Sequence, residues 1–91
     1  MINGDLKEFV DGLYYGDERA FTYNSQKFFI QGYLTEGKPT LYLDRWEPPS
    51  SEYIWKMAGN DKKYPVEEFL KAKIFDNKTF YEIEKEVEWV D

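Results

Sequence analysis

The sequence contains no cysteine and no histidine. The first absence excludes a disulfide framework, a thiolate nucleophile and a zinc ribbon. The second removes the commonest general base, the Ser-His-Asp and Cys-His arrangements and nearly every catalytic zinc site. Basic excess is missing as well: 12 Lys and Arg face 18 Asp and Glu, a net charge of −6. A protein that tracks a nucleic-acid backbone needs a basic stripe to release counterions, so direct binding to nucleic acid is not expected. Long apolar runs are absent too. The longest aliphatic or Phe run is Phe28-Phe29-Ile30, far short of the roughly 20 residues of a membrane span. The opening Met-Ile-Asn-Gly-Asp lacks the marks of a signal peptide or a myristoylation site. No membrane partner and a cytoplasmic location are therefore expected.

Phosphate-binding and nucleophile motifs are also wanting, with no P-loop, no G-x-G-x-x-G and no nucleophile elbow. Neither Asp76-Asn77-Lys78-Thr79 nor Gly59-Asn60-Asp61 has the spacing of a calcium loop, and turn or capping roles suit both better. Nothing singles out a carboxylate pair such as Glu67-Glu68 for magnesium. A carboxylate pair or a buried lysine could still support catalysis, but each needs a pocket, and an 11.0 kDa chain has little volume for one. We expect no enzyme, no catalytic residue, no cofactor and no metal.

What the chain has in abundance is rings: 3 Trp, 8 Tyr and 7 Phe among 91 residues. Disordered chains are poor in such groups, and a domain this small buries only about 60–65% of its unfolded surface, so bulky rings build a core efficiently. One domain over residues 1–91 is expected. The acidity is terminal. Residues 1–20 hold five acids against two bases, residues 77–91 the same, and residues 21–76 balance at eight of each.

Periodicity gives the elements. Leu6, Phe9, Val10 and Leu13 make one helical face, with Asn3 as N-cap and Gly16 as stop, over about Gly4 to Tyr15. Gly12 weakens its last turn by roughly 1 kcal/mol. Strands are predicted from Arg19 to Tyr23, Lys27 to Leu34 and Thr40 to Trp46, with a fourth at Tyr53 to Met57 that also suits a helical turn. Asn24-Ser25-Gln26 and Glu36-Gly37-Lys38-Pro39 are turns, and Pro48-Pro49-Ser50-Ser51 breaks regular structure. Pro65 suits a first helical position before Val66, Phe69, Leu70 and Ile74. Thr79-Phe80-Tyr81-Glu82 is a capping-box pattern ahead of Ile83, Val87 and Val90 at helical spacing. The same stretch alternates as a strand would, Tyr81, Ile83, Val87 and Trp89 against four Glu; Glu and Lys propensities favour helix. The predicted class is α+β: an N-terminal helix, a three- or four-stranded antiparallel meander and two C-terminal helices.

The stretch Ile74-Phe75-Asp76-Asn77-Lys78-Thr79-Phe80, the ending Glu88-Trp89-Val90-Asp91, and the earlier Tyr15-Gly16-Asp17 and Phe21-Thr22-Tyr23-Asn24 cover about half of the chain. In these the sequence resembles small acidic proteins of unknown function from Gram-positive bacteria and their mobile elements. The resemblance implies a bacterial cytoplasmic protein and carries no activity.

Two candidate surfaces follow. Strand alternation puts Phe28, Ile30, Leu34, Leu41 and Leu43 on one face, and Phe29, Tyr33, Tyr42 and Trp46 on the other, with Gln31 and Asp44 among them. If helices cover only the first face, the second is an aromatic stripe for a partner protein, a second copy of the chain included. The commoner arrangement shares three helices between both faces and buries it. Alternatively, Glu82, Glu84, Glu86 and Glu88 form an acidic face that mimics nucleic acid in an immunity or anti-defence inhibitor; a solvated helix face is the plainer account of such a run.

Overall fold

The computed structural model describes residues 1–60 and 62–90; Asp61, in the Gly59-Asn60-Asp61 turn, and Asp91, at the end of the acidic ladder, lie outside the described residues. The fold is α+β. Helix α1 (Leu6–Tyr14) precedes strands β1 (Arg19–Tyr23), β2 (Gln26–Thr35), β3 (Lys38–Glu47) and β4 (Trp55–Ala58). Helices α2 (Val66–Lys71) and α3 (Phe80–Ile83), a 3₁₀ turn (Glu84–Glu86) and strand β5 (Glu88–Val90) complete it. The five strands form one antiparallel sheet in the order β4-β3-β2-β1-β5.

Two corrections concern the end of the chain. The sheet has five strands rather than three or four, and the element order differs from the expected one because a strand follows α3. Helix stops at Ile83, so residues 84–90 are not helical. The reward for strand is long-range: Trp89 pairs with Phe21 and meets the Phe9 ring edge-on at 5.5 Å. Cross-strand packing of this kind outweighs local propensity.

Local chemistry explains most of the rest. Asp5, not Asn3, caps α1 by accepting from the Lys7 N–H at 2.9 Å, while Asn3 takes a left-handed φ of 58° and donates to Glu88. Gly16, at φ 75°, ends α1 in a Schellman motif: its N–H donates to Leu13 O and that of Asp17 to Gly12 O. Gly12 has a packing reason, since a Cβ there would strike the Arg19 guanidinium. The Asn24-Ser25 and Glu36-Gly37 loops have positive φ at both residues, the type I′ geometry that matches strand twist. Asp76-Asn77 repeats it between the bridged Phe75 and Lys78. Pro65 sits at the N-cap of α2, one position before the expected site. That helix ends at Lys71, short of Ile74.

Phe9, Leu13, Phe21, Phe28, Ile30, Leu41, Leu43, Phe69, Phe75, Phe80, Ile83 and Val87 form the core. Phe9 of α1, Phe69 of α2 and Phe80 of α3 meet one another and Phe21 through ring contacts of 5.5–5.8 Å. One cluster thus gathers all three helices on a single sheet face. Leu34, read as a core position, lies beyond the helices and is 71% exposed.

Candidate functional site

With the helices on one side, the other face of the sheet has no helix over it among the described residues. Register places its side chains. Phe29 pairs with Asp44, Gln31 with Tyr42 and Tyr33 with Thr40, while Lys56 of β4 pairs with Tyr42. The expected partner-binding set, Phe29, Tyr33, Tyr42 and Trp46, therefore does share this face, and the arrangement with helices on both sides does not occur.

Trp46 reaches the stripe through a bulge. Phe28 pairs with Arg45 and Lys27 with Glu47, so Trp46 is the extra residue of β3. Its ring stacks on Phe29 at 4.4 Å with planes 13° apart, and Lys27 Nζ lies 5.6 Å over it. Tyr42 is the hub of a second group, 6.0 Å from Tyr33 and 4.9 Å from Tyr53. Polar tips hold these rings: Tyr33 donates from its hydroxyl to Gln31 Oε1 at 2.8 Å, and the Tyr42 hydroxyl bonds Thr35 Oγ1. Trp46, Tyr33 and Tyr53 remain 45%, 50% and 48% exposed.

Tyr53 escaped the sequence reading. It lies in the irregular segment after Pro48-Pro49, where no period assigns a face. Beside it is an open cleft of about 640 Å³ lined by Asp44, Ser50, Ser51, Glu52, Tyr53 and Lys56. Ser50 Oγ donates to Glu52 O at 2.8 Å and lies 3.3 Å from Asp44 Oδ1, so this loop folds back on the end of the stripe.

The four ladder carboxylates do not form one helical face. Glu82 closes the α3 capping box: its Oε1 accepts from the Thr79 N–H at 2.9 Å, and its own N–H donates to Thr79 Oγ1 at 3.2 Å. The Thr79 backbone N–H holds the Glu82 carboxyl below its ordinary pKa, helped by the Thr79 hydroxyl and by Lys73 and Lys78. Glu84 pairs with the Met1 amino group. Glu88 accepts from Asn3 Nδ2 at 2.6 Å and from Thr22 Oγ1 at 3.4 Å. Glu86 is exposed in the 3₁₀ turn.

Among the described residues no three carboxylates gather as metal ligands, and no helix is long and apolar enough to cross a membrane. No protein-family model matches the chain, nor does any curated protein or solved structure.

Proposed function

We propose that this protein is a small binding module that acts through protein–protein contact, with the open aromatic face as its interface and no catalytic role. The reading is carried by one observation: three helices crowd one face of the sheet and leave Phe29, Trp46, Tyr33, Tyr42 and Tyr53 together on the other. Tyr and Trp bring large contact area at low entropy cost, and contiguous exposed rings mark interaction surfaces. The acidic series supplies less for a nucleic-acid mimic, because Glu82, Glu84 and Glu88 are each bonded within the fold. A bacterial cytoplasmic setting belongs to the same proposal.

Capture from a bacterial lysate on immobilised protein, with the variants run in parallel, tests it. A partner retained by the wild type should be lost from Tyr33→Ala/Trp46→Ala and kept by Glu82→Gln/Glu86→Gln. Its binding should change little between low and high salt, since an aromatic interface is screened far less than a charged one. Loss on the Gln variant together with a steep salt dependence would transfer the function to the acidic residues.

A further inference from the structure

The two edges of the sheet end differently. Along β5, Ile2 forms a parallel bridge to Glu88: its N–H donates to Val87 O and its carbonyl accepts from Trp89 N–H, at 2.8 and 2.9 Å. That edge is covered. Along β4 there is no such strap. Gly59 N–H donates to Pro39 O at 2.7 Å, so the alternation of an antiparallel ladder turns the backbone of Trp55 and Met57 toward β3. The N–H and C=O groups of Lys56 and Ala58 then point out of the sheet, where no described strand meets them.

A cleft of about 430 Å³ adjoins this edge and separates it from α2. Its lining includes Tyr14, Met57, Tyr64 and Pro65, with Glu67 and Glu68 on the helix side. Met57 is 39% and Tyr14 43% exposed. Tyr14 donates from its hydroxyl to Glu67 Oε1 at 3.1 Å, and Lys71 Nζ lies 4.0 Å from Glu67. Glu68 has no ion-pair partner among the described residues.

We propose that the free edge of β4 and its adjoining cleft are a second docking site, which takes an extended segment of a partner protein as a sixth strand. The backbone of Lys56 and Ala58 supplies up to four hydrogen bonds, the sequence-independent part of β-strand addition. Every second side chain of the added strand turns toward the cleft, where an apolar one packs on Met57 and Tyr14. The unpaired Glu68 selects a basic side chain next to it, which sets the chemistry of the occupant. Lys56 points its side chain to the opposite face of the sheet; a single lysine is a common guard against uncontrolled pairing and leaves the outward backbone groups free.

An acetylated, amidated octapeptide of alternating valine and lysine, titrated into ¹⁵N-labelled full-length protein, tests this. Shifts should centre on the Lys56 and Ala58 amides, and both should gain protection from hydrogen exchange. Ala58→Pro removes an outward N–H while sparing the β3 ladder, and should weaken binding at least tenfold. Glu68→Lys should weaken it by about two- to fivefold, the range of a rim charge pair. N-methylating the peptide at alternate amides should abolish binding without touching the protein, which keeps the test valid if the proline variant unfolds. No shift at millimolar peptide overturns the proposal, as do shifts centred on Tyr33 and Trp46. Concentration-dependent protection of Lys56 and Ala58 in the protein alone would give the edge to a second copy of the chain and also overturn it.

Discussion

The covered and open faces of the sheet use different rings. Six of the seven Phe residues are in the core: Phe9, Phe21, Phe28, Phe69, Phe75 and Phe80, none more than 3% exposed. The open face carries Trp46, Tyr33, Tyr42 and Tyr53, with Phe29 beneath the indole. A Phe ring has no polar atom to satisfy, so it can be sealed among other rings without cost; a Tyr or Trp keeps a polar tip that suits a half-wet position. The sorting keeps the core free of orphaned polar groups. Arg19 Nε is the one buried side-chain N or O atom without a hydrogen-bond partner among the described residues, and its guanidinium rests 5.1 Å over Trp89.

Phe80→Ala is the largest break. Phe80 has ring contacts with Phe9, Phe21, Phe69 and Phe75 at 5.5–6.1 Å. Its loss should cost about 3–5 kcal/mol in urea titration, a large share of the roughly 5–15 kcal/mol that holds a domain together. A cost under about 1 kcal/mol would mean that the covered face is not the seat of stability.

The cap that presents Phe80 gives a smaller effect. Thr79→Ala should cost about 1 kcal/mol. The Glu82 carboxyl titrates below its ordinary value when folded, so its contribution is present above the unfolded pKa of about 4.3 and is lost as pH falls through the lower folded value. Stability of the wild type should therefore fall with acid over that window, and Glu82→Gln should flatten this part of the curve. An unchanged acid limb in the Gln variant would remove the capping carboxylate from the account.

On the open face the effects should be smallest. Trp46→Ala forfeits the stack on Phe29 and should cost about 1 kcal/mol; Tyr42→Phe removes only a hydroxyl and should stay within about 0.5 kcal/mol. A loss above about 3 kcal/mol for Trp46→Ala would place that ring in the core and erase the difference between the faces.

Much of this was legible beforehand. The face shared by Leu6, Phe9 and Leu13, the turn residues Asn24-Ser25 and Glu36-Gly37, the Thr79–Glu82 box and the alternation that groups Phe29 with Tyr33 all depend on near neighbours. The fate of residues 84–90 was not legible, because Glu and Lys propensities speak for helix while the gain from strand lies in Phe9 and Phe21, far off in the chain. Tyr53 was missed for a related reason: its place is set by the loop that returns to Tyr42, and a loop carries no period.

Caps, periods and two-residue loops are written in the chain because their partners lie a few residues away. Which face the helices occupy, and which edge stays free, are properties of the folded molecule alone. The first was decided when Phe9, Phe69 and Phe80 found one another, since dividing those helices between two faces would break a single dry cluster into poorly buried halves. The second was decided when Ile2 crossed to Val87 and Trp89. Both depend on contacts between distant segments, whose worth appears only after the intervening chain has been ordered.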